Sequence, residues 1–298
     1  MTHVELAHAP AGAAARMPRV DAGAQAAIAP TARATAIIPA RGGSQGLPGK
    51  NVARVGGVPL VARAVLAALA ADRIGRVVVT TDDDAIAEAA RDAGAEIVAR
   101  PAELAGATAS SESALLHALE VLGLGAPGAD DLVVFVQATS PFIDPADLDA
   151  AIERVSSGER DSVFSAAPSH VFLWRDDAVT GAAGVNHDAA HRPRRQDRAP
   201  EYAETGAFYV FRTVGFLAAG HRFFGRIGVQ PVHPDHAIEI DDAADLERAR
   251  ALAPHVAPRR GSPQRTGSAR ARPRRGAGRC RGRRCGSRAR SRARAGRP

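Results

Sequence analysis

Thr35-Ala36-Ile37-Ile38-Pro39-Ala40-Arg41-Gly42-Gly43-Ser44-Gln45-Gly46-Leu47-Pro48-Gly49-Lys50-Asn51 is the run whose reading decides the fold class. A short apolar segment, Thr35 to Ile38, passes straight into a loop with four glycines and two prolines in eleven residues. α/β proteins use such a strand-then-glycine loop to bring backbone N–H groups up to phosphate oxygens, because a Cβ would obstruct the approach. Arg41 and Lys50 bracket the loop and add two cations to its bare amides. The chain has 38 arginines and one lysine, Lys50. A lone lysine in so arginine-rich a sequence points to a compact point charge that a planar guanidinium cannot replace. The plain alternative, a surface lysine, is disfavoured by the adjoining loop. A Walker A loop is excluded, since it needs glycine at 44 and Ser or Thr at 51, where the chain has Ser44 and Asn51.

Outward from this loop the pattern alternates. Apolar runs at 35–38, 77–80, 132–136 and 162–165, with another ending near Val98, suit buried parallel strands. Helical periodicity fills the gaps at about 59–71, 84–93, 110–122 and 145–155. The alternation predicts a three-layer α/β fold with a mostly parallel central sheet and ligands at the carboxyl ends of its strands. After Ser165 the rhythm changes. Residues 168–200 read as an excursion from the sheet, a lid or dimerisation arm. Strands are expected again at 206–212 and 228–232, then a helix from Asp242 to Leu252 capped by Asp242 or Asp241.

Composition bounds the rest. Hydrophobic content is 45% and aromatic content 4%, which predicts an aliphatic core. The net charge of +7 misleads, because 16 arginines and no acidic residue lie from Val256 onward, leaving 7 − 16 = −9 on the remainder. Residues 1–33, rich in Ala, Pro and Gly, read as a mobile leader or a misannotated start, and 34–254 as the folded domain. The tail, 255–298, reads as a nucleic-acid-binding arm, a disordered tail or an out-of-frame readthrough. The absence of interleaved aromatics favours the last two. Both cysteines, Cys280 and Cys285, lie in the tail, so the body has no disulfide framework. No stretch reads as a signal peptide or membrane span, and a cytoplasmic protein is the expectation.

Several motifs carry chemistry. Glu239-Ile240-Asp241 is expected to end a strand at 237–240; residues i and i+2 share a face, so both carboxylates aim at one cation, Mg²⁺ for preference. The competing reading is a helix cap. Gln137-Ala138-Thr139-Ser140-Pro141 offers an amide suited to sugar hydroxyls or a carboxylate, or is a simple turn. Arg100, with Ala109 and Ser111 beyond it, suits the acceptors of a cytosine edge, or is a surface arginine before a capping serine. Asp82-Asp83-Asp84 reads mainly as a helix cap. The arginines of Arg192-Pro193-Arg194-Arg195-Gln196-Asp197 either swing over a developing charge or form a solvated basic loop. His233 and His236 flank a proline and read as surface loop.

The run IPARGGSQGLPGKN resembles the ARGGSKGxPxKN signature of the acylneuraminate cytidylyltransferases, with Gln45 in place of the usual lysine. QATSP, RPAELA, RRQD and ETGAFY are similar to further segments of that family, in its order, and the likeness spans roughly residues 34–254. The resemblance implies a Rossmann-like nucleotidyltransferase that transfers CMP from CTP to a nine-carbon 2-keto sugar acid and works as a homodimer with Mg²⁺. It implies catalytic roles for Lys50, Arg41, Arg194 and Arg195. It places Arg41, Gly43, Ser44, Asn51, Arg100, Ala109 and Ser111 at the nucleotide. Gln137, Arg175, Thr205 and Tyr209 fall at the sugar acid, and Asp241 with Glu239 at the metal. Thr205 stands where the family usually has asparagine. The rivals are a Kdo-activating or other sugar nucleotidyltransferase of the same fold and, from another class, a nucleic-acid-binding protein acting through its tail.

Overall fold

A computed structural model describes residues 33–44, 46–106, 109–129 and 131–256. Residues 1–32 of the expected leader and 257–298 of the tail, together with Gln45, lie outside the described residues. In chain order the strands are β1 (Ala34–Pro39), β2 (Arg54–Val55), β3 (Val58–Pro59), β4 (Ile74–Thr81), β5 (Glu96–Ala99) and β6 (Leu132–Val136). They continue as β7 (Ser162–Ser169), β8 (Trp174–Arg175), β9 (Ala183–Gly184), β10 (Glu201–Arg212) and β11 (Ile227–Pro231). The helices are α1 (Leu60–Leu69), α2 (Asp84–Asp92), α3 (Ser111–Leu122), α4 (Pro145–Ser156), α5 (Thr213–Ala219) and α6 (Ala243–Leu252).

Seven strands form one sheet in the order β11-β7-β10-β6-β1-β4-β5. β1 pairs in parallel with β4 and β6, β4 with β5, and β7 with β11. β10 runs antiparallel to both β6 and β7. The mostly parallel three-layer fold expected from the sequence is therefore present. The period-2 alternation of the strands sends neighbours to opposite faces. Ile38, Val134, Val136, Phe208 and Val210 pack with α1, α2 and α4 on one side. Ile37, Val133, Phe135, Tyr209 and Phe211 pack with α3 and α5 on the other.

The expectation of a wholly aliphatic core needs correction. Most of the buried aromatics gather on the α3 face, where Phe135 stacks on Tyr209 at 5.3 Å and Phe211 on Phe216 at 4.8 Å, while Phe208 packs on the other face. Residues 237–240 form no paired strand; Ile240 N–H donates to Thr139 O at 3.0 Å, and its side chain is fully buried. The β2–β3 hairpin and α5 escaped the sequence reading because each is too short for a periodic signal.

Acidic and hydroxyl caps start α2, α3, α4 and α6. Asp83 Oδ1 accepts from Ile86 N–H at 2.9 Å, Ser110 Oγ from Ser113 N–H at 3.1 Å and Asp144 Oδ1 from Ala146 N–H at 3.0 Å. Asp242 caps α6 in a reciprocal box with Asp245. The excursion spans 170–200 between β7 and β10 and carries the β8–β9 hairpin. It is held by its own contacts: Phe172 lies between Arg192 and Arg198, at 4.4 and 4.3 Å. Asn186 donates to Val171 O and accepts from Leu173 N–H, each at 2.9 Å.

Within α3, Leu119 is 1% exposed and Leu116, on the outer side, 40%. Leu119→Ala should lower the unfolding free energy by about 2–5 kcal/mol, through lost burial and a residual cavity. Leu116→Ala should change it by about 0.5 kcal/mol or less. Urea unfolding followed by far-UV dichroism measures both.

Candidate active site

Four parallel strands, β1, β4, β5 and β6, deliver their carboxyl ends to one edge of the sheet, and the antiparallel β10 brings its amino end there. A cleft of about 460 Å³ opens at this edge. Its walls include Arg41, Ser44, Gly46, Lys50 and Asn51 from the loop after β1, with Arg100, Ala109 and Ser111 from the connection between β5 and α3. Gln137 and Thr139, after β6, and Glu239 and Asp241 complete it. Ten of the residues singled out from sequence thus share one cavity.

The loop is held closed by its neighbours. Asn51 is buried, and its Nδ2 donates to Arg41 O at 3.0 Å, joining the two ends of the loop. Gly42 N–H donates to Asp82 Oδ1 at 3.1 Å, and Arg41 Nη1 to Gly106 O at 2.6 Å. A Cβ on Gly46 would stand 2.5 Å from the carbonyl oxygen of Asp241. Only glycine permits this approach of loop to carboxylate segment.

Lys50 Nζ lies 3.2 Å from Asp241 Oδ1, with the lysine side chain 13% exposed and the aspartate 72%. An ion pair with so exposed a partner contributes about 0–1 kcal/mol to stability, so its value lies in placement rather than in holding the fold. Asp245 Oδ2 accepts from the backbone N–H of Asp241 at 3.0 Å and of Asp242 at 3.2 Å. The cap of α6 therefore also fixes Asp241. With Ile240 turned into the core, Glu239 and Asp241 flank it and both reach the cleft. The shared face expected from i, i+2 spacing is present without the strand.

Glu239 Oε1 accepts from Thr139 Oγ1 at 3.2 Å. Burial, and then the charge of Asp241, hold its carboxyl above the usual range, against the hydroxyl of Thr139 and the charge of Lys50. Gly206, at φ +70°, sits beside it in the left-handed region, where a Cβ would lie 3.2 Å from Gln137 Nε2 and 3.3 Å from Glu239 Oε2. Arg100 is 8% exposed, and its Nη2 donates to Thr80 O at 2.6 Å. Its Nε is buried with no hydrogen-bond partner among the described residues. Burial holds this guanidinium below its ordinary range, Asp82 opposing and Arg41 adding to the shift. A buried donor at the rim of a cleft suits a ligand acceptor. The N-terminus of α3 at Ser111 faces the same space and favours negative charge.

Other expected residues lie elsewhere. Thr205 is buried with its hydroxyl 2.7 Å from Ser165 Oγ, within the sheet. Tyr209 is buried against Phe135, its hydroxyl donating to Glu204, and burial and that carboxylate raise its pKa. Gly43 is absent from the cleft lining, and Arg175 stands exposed on β8. Arg194 pairs with Asp197 at 2.7 Å and is, like Arg195, exposed on the excursion. Asp83 caps α2 as expected, while Asp82 has the further task of anchoring Gly42. His236, read as surface loop, is buried in a 3₁₀ turn, Pro234–His236.

A family model described as cytidylyltransferase matches residues 35–253. The chain belongs to the cytidylyltransferase family. An N-acylneuraminate cytidylyltransferase of Oncorhynchus mykiss is 33% identical over 209 residues, 69% of this chain and 47% of the relative. A 3-deoxy-manno-octulosonate cytidylyltransferase of Anaeromyxobacter dehalogenans is 32% identical over 243 residues, 72% of this chain and 96% of the relative. The chain thus spans about half the length of the N-acylneuraminate relatives from fish. A solved CMP:2-keto-3-deoxy-manno-octonic acid synthetase complexed with CTP superposes with a TM-score of 0.57 at 19% identity, over 75% of this chain and 99% of that one. At that identity the likeness bears on the fold alone.

For a cytidylyltransferase cleft the sequence reading omitted Thr139, Ser110 and Phe135, all of which line it. Thr139 stands inside the quoted Gln-x-Thr-Ser-Pro turn, and its partnership with Glu239, a hundred residues on, has no local signature.

Because the folded state holds Glu239 above its unfolded value, it binds the extra proton, and stability is lost as pH rises through the raised value. Glu239→Gln should remove this contribution. Without metal, the variant should match the parent near pH 4 and be the more stable near pH 8, by urea midpoints across that range.

Proposed function

We propose that this cytidylyltransferase transfers CMP from CTP to the anomeric hydroxyl of a nonulosonic, sialic-type acid and releases pyrophosphate. The observation that carries this reading is the meeting of the glycine loop, the lone lysine and the Glu239/Asp241 pair in one cleft. Arg41, Ser44 and the loop amides hold the triphosphate. Lys50 stands at the reacting phosphate and neutralises charge as pyrophosphate leaves. Arg100, Ala109 and Ser111 take the base, and Gln137 orients the sugar acid for in-line attack. Phosphoryl transfer of this kind needs placement and charge neutralisation more than covalent help. Asp241 and Glu239 form a hard oxygen donor set that suits Mg²⁺, and the raised Glu239 is a carboxyl that a cation would deprotonate. Bound there, Mg²⁺ supplies positive charge against the phosphate oxygens. Residues 34–254 make one catalytic domain in this reading.

The excursion carries Arg192, Arg194 and Arg195 together with apolar groups that water disfavours, Leu173, Trp174 and Val179, the last 92% exposed. That combination supports a homodimer arm whose arginines close over a cleft. A Kdo-type acceptor is the second reading, favoured by the match to nearly the full length of the octulosonate enzyme.

Pyrophosphate release from CTP and Mg²⁺, compared for N-acetylneuraminate and Kdo, tests the proposal and separates the acceptors. Release should require the cation and stop with chelator; no release with any keto-sugar acid would refute the proposal. Lys50→Ala should lower kcat by roughly 10²–10³-fold with an unchanged dichroism spectrum. A near-normal rate would remove the lysine from the chemistry. Arg195→Ala should lower kcat by about tenfold or more while leaving CTP affinity within about threefold, because the arginine acts on closing. Unaltered kinetics would move the role to Arg194.

A further inference from the structure

A second cavity, of about 210 Å³, shares no lining residue with the cleft. Arg63, Leu66, Phe142, Asp144 and His236 are among its walls. Beside it Asp144, Asp147 and His236 each bring one ligand atom, all within 4.8 Å of one another. We propose that Asp144, Asp147 and His236 form a binding site for one divalent transition-metal cation, with zinc the best match, separate from the catalytic cleft.

Helix capping explains the two carboxylates in part. Asp144 caps α4, and Asp147 sits in its first turn, where acidic groups are favoured. Capping does not explain the imidazole, which comes from the separate turn at Pro234–His236, buried to 9% exposure against a carboxylate itself 2% exposed. One imidazole and two carboxylates are a borderline donor set that suits zinc or its neighbours better than calcium or magnesium. Around a tetrahedral zinc the ligand atoms stand roughly 3.3 Å apart, and the three here, all within 4.8 Å, would draw together onto the ion. The adjoining cavity gives an entry path and room for a water to complete the coordination. Arg63, the cation in that cavity, is turned to other work. Its Nε donates to Pro141 O at 2.7 Å and its Nη1 to Val55 O at 3.2 Å, with the guanidinium over the Phe142 ring.

The placement gives the site a consequence. Asp144 follows the turn that carries Gln137 and Thr139, and His236 precedes the segment that carries Glu239 and Asp241. A cation bridging them clamps two walls of the cleft from outside it.

The test is a titration of the full chain, stripped of metal, with Co²⁺ followed by visible absorption and then Zn²⁺ by calorimetry. One equivalent of Co²⁺ should give d–d bands that one equivalent of Zn²⁺ removes, and zinc should raise the melting temperature. The signal should be lost in Asp147→Asn and His236→Gln and kept in Asp241→Asn. The exposed side of Asp147 keeps the first variant informative should the histidine variant fail to fold. No stoichiometric binding, or binding that survives Asp147→Asn, overturns the proposal, since the ion then belongs to other residues.

Discussion

The contact on which the cleft depends is a close approach of two backbones. Gly46 passes so near the carbonyl of Asp241 that no side chain fits between them, and Lys50 Nζ meets the carboxylate of the same residue at 3.2 Å. Residues 195 positions apart in the chain thereby define one wall. The ion pair adds little to stability, yet it sets a cation and an anion side by side in the same cavity. In the proposed reading such a pair is poised for exchange, a phosphate competing for the lysine and a metal for the aspartate. The arrangement is pre-organised by Asn51, Asp82 and Asp245, whose side chains hydrogen-bond to backbone.

The cleft gathers charges of both signs. Arg41, Arg100 and the amino end of α3 bring positive charge to the cleft, Glu239 and Asp241 bring negative charge, and Lys50 stands against Asp241 where the two meet. In the proposed reading the cations would hold a triphosphate and the two carboxylates a hard cation. The buried, unpaired Nε of Arg100 and the raised carboxyl of Glu239 are both costs to the empty protein that a ligand relieves.

Legibility in the sequence followed the range of the signal. Strand cores such as Leu132–Val136 and caps such as Asp83 and Asp242 are local, and the structure places them as read. The loop from Arg41 to Asn51 was legible because glycine density and a lone lysine are visible without a fold. The strand expected at 237–240 was not there, since i, i+2 projection needs only an extended backbone, here supported by the single bond to Thr139. Thr205 shows the opposite limit. It sits next to Gly206, which does face Gln137 and Glu239, but the pleat turns its hydroxyl to Ser165. Partnerships such as Thr139 with Glu239, or His236 with Asp144, arise from topology and leave no trace in composition.

The reversed direction of β10 has a further effect. β7 ends and β10 begins at the same rim, so the excursion leaves and rejoins the sheet beside the cleft. Its length and side chains are thereby uncoupled from strand register. The sheet can thus stay fixed while the segment attached at its rim is lengthened or trimmed, because neither change shifts a pairing between β7 and β10.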